Sequence, residues 1–327
     1  MEVKRRTART LVKRLGSASD AAALAATIAE IRLCSKQDEE IRLPLADAGA
    51  VPLLSRHLLA GAPIASASSQ ADAAAALLNV SISDRETLMS TPGLLDALAH
   101  SIRPASPAVV AQNAAATVFS LLAVESYRPI IGSKKSLISA LIDLIRSPNP
   151  ASRTVKDALK ALFGIALYPL NRAAMVELGV VPALISLVVK KDRAGILEDA
   201  TAVIAQVAGC FESLDAFRRA AGFRVLVDLV EKGTGATGRT RENAVAALLN
   251  LSMSGGDAAV AEIRELEEAE AAVRELADGG VSARAKVKAE ALLRVMASRR
   301  GDHWIGDFEL RPSPQPSCSS STDSASF

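Results

Sequence analysis

Residues 244–252 read AVAALLNLS, and nearly the same letters stand at 73–81 as AAAALLNVS. The pattern is an apolar run that ends in an amide and a small residue. It returns as ALKALFGIA at 158–166 and AEALLRVMA at 289–297, and more loosely as ATVFSLLAV and AVIAQVAG. Aligned on the amide, one column holds Asn79, Ser120, Gly164, Gln206, Asn250 and Arg294, at steps of 41, 44, 42, 44 and 44 residues. A weaker copy, AEIRLCS, places Arg32 in that column, 47 residues before Asn79. Self-similarity at such a period is the mark of a stacked array of like units.

A second marker runs half a period out of phase. DAGAVPLLSRHLL carries Gly49 and Pro52, STPGLLDALAHSI carries Gly93, ELGVVPALISLVV carries Gly179 and Pro182, and RAAGFRVLVDLV carries Gly222. GSKKSLISALIDLI is the degenerate copy. Glycine ends a helix because it takes a left-handed conformation without a Cβ clash, and proline is tolerated in the first turn of the next helix. Each unit therefore reads as a break followed by two helices. In the first helix of one unit, Val181, Leu184, Ile185, Val188 and Val189 fall on one face. The second helix is apolar nearly all round, as at Val245, Leu248, Leu249 and Leu251, and so must be covered on most sides. Polar or flexible links recur between them: GAPIASASS, RPASP, RSPNP, KKDRAG and EKGTGATG. Ser69 with Asp72 forms a capping-box pattern at the start of one second helix. A unit of this size cannot bury its own apolar face, but stacked neighbours can, which makes an elongated solenoid with a concave side. The expected order is a basic N-terminal helix and degenerate first repeat over 1–46, five repeats over 47–265, a capping repeat over 266–300, and a disordered Ser/Pro-rich tail over 301–327.

Composition agrees with a helical array. Half of the 327 residues are hydrophobic while only 3% are aromatic, which favours helix over a β-sandwich. Lys plus Arg is 38 against 36 Asp plus Glu, a net charge of +2, so a strongly cationic nucleic-acid binder is excluded. No apolar run reaches the ~18–20 residues that span a bilayer, and no integral membrane segment is expected. Cys34, Cys210 and Cys318 are scattered and odd in number, which fits a reducing compartment. The N-terminus is basic through Lys4, Arg5, Arg6, Arg9, Lys13 and Arg14, a pattern shared by a solvated helix face, an acidic-surface or nuclear-import patch, and a mitochondrial presequence.

The residues carry a resemblance. AGAVPLLSRHLL with AAAALLNVS, and GVVPALISLVV with AVAALLNLS, resemble the armadillo repeat across residues 10–298. Residues 11–54, LVKRLGSASDAAALAATIAEIRLCSKQDEEIRLPLADAGAVPLL, are similar to the opening of the armadillo region in plant U-box ubiquitin ligases. The resemblance implies an all-α, right-handed armadillo-repeat superhelical solenoid. It also implies a partner-binding groove along the second-helix ladder, where asparagines clamp an extended peptide. Receptor kinases and ubiquitin substrates are the partners it implies. No segment matches the Cys-Pro-Ile signature of the U-box, so the binding role carries over rather than the ligase. In nuclear-import adaptors a Trp precedes the Asn by four residues. Here those positions are Ala75, Ala116, Lys160, Ala202, Ala246 and Glu290, without the cation–π walls worth about 0.5–2 kcal/mol each. The expected function is a non-catalytic interaction scaffold in plant signalling or ubiquitin pathways, cytoplasmic, nuclear or both. An E3 ubiquitin ligase or ligase component, and a nuclear transport adaptor, are the alternatives.

The candidate groove residues are Asn79, Ser120, Gly164, Gln206 and Asn250, together with Arg153, Lys156 and Lys160, a basic stripe at i, i+3 and i+7 that could seat an acidic or phosphorylated segment. For the amides the competing reading is a structural one, bonding to neighbouring backbone. For the stripe it is a solvated face. GTGATG at 233–238 formally matches a dinucleotide fingerprint, but it follows a helix and fills a slot that is a loop in every unit. Arg239 and Arg241 could attract an anion to the helix start that follows. His57, His100 and His303 are isolated, and Glu39, Glu40, Glu267 and Glu268 read as solvated faces. No catalytic residue, metal site or cofactor is expected. In the tail, Ser313 precedes Pro314 as a candidate phosphorylation site, and Trp304 and Phe308 flank the junction.

Overall fold

The computed structural model describes residues 1–59, 66–148, 151–190, 194–279 and 282–298. Residues 1–297 pack as one unit, and every regular element among the described residues is helical. Ser313, Trp304, Phe308, His303 and Cys318 lie outside the described residues.

The chain opens on a helical pair, α1 (Glu2–Ser17) and α2 (Ala21–Gln37). Helical triplets follow. The first is α3 (Arg42–Asp47), α4 (Ala50–Arg56) and α5 (Ala67–Ser83). The second is α6 (Arg85–Ser90), α7 (Leu94–Ile102) and α8 (Ala108–Leu121). The third is α9 (Arg128–Gly132), α10 (Lys135–Arg146) and α11 (Ser152–Ala166). The fourth is α12 (Asn171–Glu177), α13 (Val180–Val189) and α14 (Ala194–Val207). The fifth joins α15 (Leu214–Arg219) and α16 (Gly222–Val230) to the first part of α17 (Gly238–Glu265). The rest of α17 leads into α18 (Ala269–Gly279) and α19 (Ala283–Ala297).

The unit thus holds three helices, where the sequence suggests two. The additional helix precedes each glycine break and has only 5 to 7 residues. Such a segment is too short to stand alone or to show an apolar period. The most completely buried side chain of each is a large apolar one: Leu45, Leu88, Ile131, Met175 and Phe217, all fully buried. Burying a side chain of this size contributes about 1.5–3 kcal/mol.

In four of the five triplets the break is a left-handed residue; in the third, Lys134 precedes α10 with φ −82°. Gly49, Gly93 and Gly179 hold φ of 90°, 77° and 83° immediately before the second helices. In the fifth triplet the left-handed residue is Ala221, with φ 53°, and not Gly222. Gly222 is fixed for another reason: a Cβ there would stand 2.6 Å from Cδ1 of Phe217. Ala221 is exposed, so its methyl group buries nothing and its Cβ only strains the backbone. Ala221→Gly is expected to stabilise the chain by about 0.5–1 kcal/mol, measured by chemical denaturation. Loss of stability would show that the strain is absent.

The third helices form the inner ladder, with α2, α5, α8, α11, α14, α17 and α19 each packed on the next. The second helices α4, α7, α10, α13, α16 and α18 form an outer ladder in the same order. One apolar core runs between them from Ala8 to Met296. The stripe expected on α13 is buried at Val181, Leu184, Ile185 and Val188, but Val189 is 58% exposed and falls outside it. The cap of α5 also differs from expectation, because Ser66 accepts the Ser69 N–H at 3.1 Å. Counted end to end, α17 is long and apolar enough to cross a bilayer. Gly256, at φ 57° and ψ −148°, breaks it, and its buried residues pack against α14, α16 and α19.

Candidate functional site

The column read from the sequence lies on the inner ladder, where Asn79, Ser120 and Asn250 bond the preceding inner helix and Gln206 meets α12 of its own triplet. Asn79 Nδ2 donates to Ser35 Oγ at 3.0 Å and to the Arg32 carbonyl at 3.5 Å. Asn250 Nδ2 donates to the Ala205 carbonyl at 2.8 Å. Ser120 Oγ donates to the Ser81 carbonyl at 3.1 Å. Gln206 Oε1 accepts from Arg172 Nη2 at 3.0 Å. Gly164 is buried, and a Cβ there would lie 3.0 Å from Leu122 Cβ, so this position is set by packing between α11 and the end of α8. The same bonds correct the register of the N-terminal copy. Asn250 reaches the residue before Gln206, and Asn79 reaches Arg32, the residue before Leu33. Leu33, not Arg32, therefore stands in the column.

A set of arginines escaped the sequence reading. Arg42, Arg85 and Arg128 begin first helices and Arg172 sits one residue inside one, at steps of 43, 43 and 44 residues. Each Nε donates to a main-chain carbonyl at or just past the end of an inner-ladder helix: Ser35 at 2.8 Å, Ser120 at 2.8 Å, Leu122 at 3.3 Å and Ala166 at 2.9 Å. The last carbonyls of a helix have no partner within it, and a guanidinium supplies one. The recurrence of Arg at the period of the array was the available signal.

An open cavity of about 700 Å³ is lined by five inner-ladder helices, α8, α11, α14, α17 and α19. Phe119, Leu159 and Phe163 make one apolar end, and Ala202 and Ala246 form the middle. Phe119 and Phe163 are 44 residues apart and each stands just before a column residue. Phe119 is 43% exposed, and Lys160 Nζ lies 6.0 Å from its ring centroid. Of the column, Gln206 and Asn250 line this cavity; Asn79, Ser120 and Gly164 lie outside it. Of the basic stripe, Lys160 lines it, whereas Arg153 and Lys156 do not. Of the arginine pair at the start of α17, Arg239 faces the cavity. Arg241 is buried and donates to the Val230 carbonyl at 2.8 Å.

Charges alternate along this surface. Glu198 accepts from Thr237 Oγ1 at 2.7 Å. Burial alone would raise Glu242, but the Ser282 hydroxyl at 2.8 Å and the Lys288 ammonium at 3.2 Å bring it below its ordinary value. Asp199 is half-buried, and burial raises its carboxyl even though Lys156, Lys160 and Arg239 pull it down. Asp157 is raised by burial in the same way, against the pull of Lys160 and a hydrogen bond with Gln112. A carboxyl whose folded pKa is raised holds its proton longer in the folded state. It therefore costs stability increasingly as pH rises from its ordinary value near 3.8 through the folded value. Asp199→Asn is expected to raise the melting temperature at pH 7 and to have no effect near pH 3. A variant less stable than the parent at pH 7 would show that Asp199 is held as a paired anion.

Both described cysteines are held as thiols. Burial, with Glu212 accepting from Sγ at 2.8 Å, pushes Cys210 up to about 11. Burial also raises Cys34, with Glu30 and Asp38 nearby. Among the described residues no three His, Cys, Asp or Glu side chains cluster as metal ligands would. The first five residues of GTGATG lie in the loop between α16 and α17, with Gly233 and Gly235 left-handed, Thr237 capping α17 and Gly238 opening it.

Comparison with known proteins bears on this geometry. The family model for the plant U-box protein ARM repeat region matches residues 8–304. U-box domain-containing protein 16 of Arabidopsis thaliana is 31% identical over 277 residues, which cover 82% of this chain and 38% of that protein. U-box domain-containing protein 17 of the same plant is 32% identical over 301 residues, covering 91% of this chain and 40% of that protein. The chain spans about two fifths of the length of these two relatives. Among solved structures, an engineered protein superposes with a TM-score of 0.74 at 22% identity, over 89% of this chain and 68% of that one. A designed armadillo repeat protein superposes with a TM-score of 0.62 at 21% identity, over 75% and 99%.

Proposed function

The chain belongs to the family of plant U-box protein ARM repeat regions, and from that premise we propose that it works as a non-catalytic scaffold whose inner ladder takes an extended segment of a partner protein. The observation that carries this reading is the open cavity of about 700 Å³ spread over five stacked helices. A ladder of parallel helices offers repeated, equivalent positions, and an extended chain lying across it meets one set of side chains per unit. The cavity joins an apolar end to a region of mixed charge, which suits a polypeptide better than a small apolar ligand. Receptor kinases and ubiquitin substrates are the partners we favour. Their binding segments would be acidic or phosphorylated, and the setting a signalling or ubiquitin pathway in the cytoplasm, the nucleus or both.

Blocking the cavity tests the proposal. Ala202 lines its middle, and an arginine there would project into the path of an extended segment. Affinity capture with the 327-residue chain and with Ala202→Arg, both verified as folded by circular dichroism, is expected to give partner recovery reduced about tenfold or more by the substitution. Equal recovery would overturn the groove reading. Ubiquitin conjugates formed by the purified chain with charged conjugating enzyme would overturn the non-catalytic one.

A further inference from the structure

One corner of the five-helix cavity carries two arginines that act on carboxylates only from a distance, Arg239 on Asp199 and Arg284 on Glu242. Arg239 lies in the first turn of α17 and Arg284 in the first turn of α19, and both side chains line the cavity. Both are exposed, and neither has a hydrogen bond or ion pair among the described residues. Arg153, exposed in the first turn of α11, also has neither among the described residues, but it does not line the cavity; most other arginines along the ladder are engaged. Arg32 is paired with Asp72 at 2.6 Å, and Arg42, Arg85, Arg128, Arg172 and Arg241 each donate to a main-chain carbonyl. Of the cavity's carboxylates, Glu242 is held by Ser282 and Lys288 and Glu198 by Thr237, while half-buried Asp199 feels the pull of Arg239 without an ion pair to it. Lys160, the one member of the sequence-marked basic stripe in the cavity, is drawn toward Asp157 at 3.9 Å and over Phe119.

We infer that the Arg239–Arg284 corner is a seat for one acidic side chain, carboxylate or phosphate, of the segment that the groove takes. This rests on the groove reading above and names its ligand chemistry. Two guanidiniums at successive helix starts offer forked donors that match the paired oxygens of a carboxylate or phosphate. The two helix N-termini add positive potential at the same place. The cavity also fixes a spacing. Its apolar end, at Phe119 and Phe163, is about three helix spacings away across the ladder, about 24–30 Å at 8–10 Å per packed helix. The phenylalanines stand near the ends of α8 and α11 and the arginines in the first turns of α17 and α19, an offset of about 15 Å along the helices. An extended chain at about 3.3 Å per residue covers the resulting span of about 28–34 Å in about nine or ten residues. The ligand is therefore a segment with a large apolar side chain and an acidic one, about nine or ten residues apart.

A bead-bound library of random fourteen-residue peptides, with phosphoserine among the building blocks, tests this with the full chain. The expected result is captured peptides enriched about tenfold in Asp, Glu or phosphoserine over Ser, with an apolar residue about nine or ten positions away. Sequencing the captured peptides tells carboxylate from phosphate. Arg239→Glu/Arg284→Glu is expected to abolish the acidic enrichment while capture through the apolar end persists. Ala202→Arg is the reference for a blocked groove. Capture that Ala202→Arg abolishes, but that shows no acidic enrichment or keeps it in the double variant, would overturn the acidic seat and leave the groove reading standing. Capture no better than that of Ala202→Arg would overturn both.

Discussion

Phe217→Ala is expected to destabilise the fifth triplet by about 3–5 kcal/mol. The ring is fully buried and is the largest such side chain in the described structure. It is also the anchor of α15, whose 6 residues cannot hold a helix unaided. Little could move in to fill the cavity left behind. Gly222 stands flush against the ring with no side chain to offer, and α16 is held on its other faces by α17 and α18. Each unit of a stack touches mainly its neighbours, so the damage should stay local. Hydrogen exchange is expected to quicken over residues 211–255 while residues 1–166 keep their protection. Phe217→Leu, which retains most of the volume, should cost less than about 1.5 kcal/mol. Uniform loss of protection along the chain would show that the triplets do not behave as neighbouring units.

The inner ladder was legible because its helices run 14 to 17 residues in α2, α5, α8, α11 and α14, long enough to show their apolar period and their recurring end. The first helices were not, because one or two turns carry no period. Their trace in the sequence is a single apolar letter, Leu45, Leu88, Ile131, Met175 and Phe217, at the spacing of the array. The break at Ala221 was misplaced by one residue for a physical reason: Gly222 is required by the Phe217 ring, and the strained position before it carries alanine. In the candidate site, Gln206, Asn250, Lys160 and Arg239 could be pointed to beforehand. Phe119 and Phe163 share one register position just before the column, but an aromatic at only two of the repeats is indistinguishable in sequence from core packing. Which arginines would be spent on carbonyls and which left free could not be read from sequence, because that depends on where the neighbouring helix ends.

That last dependence is sharpest at Gly132, and it yields the second large effect. Asn171 starts α12 and donates through Nδ2 to two carbonyls, Arg128 and Ile165, each at 3.0 Å. It therefore ties three helices, α9, α11 and α12, at one point. Gly132 leaves the room it needs. A Cβ there would lie 2.1 Å from Asn171 Nδ2, 2.2 Å from Cγ and 2.3 Å from Oδ1, so the whole amide would have to leave. Gly132→Ala is expected to cost about 2–4 kcal/mol, the sum of crowding and of bonds lost in a buried setting. Asn171→Ala alone should cost about 1–2 kcal/mol. The double variant is the informative one. Once the amide is gone, the new methyl group enters the vacated space without a clash, so the pair should cost at least about 1 kcal/mol less than the two single changes added together. Denaturant unfolding of the four proteins closes the cycle. Simple additivity would mean that Gly132 is small for some reason other than the amide, and that the α9–α11–α12 junction is held elsewhere.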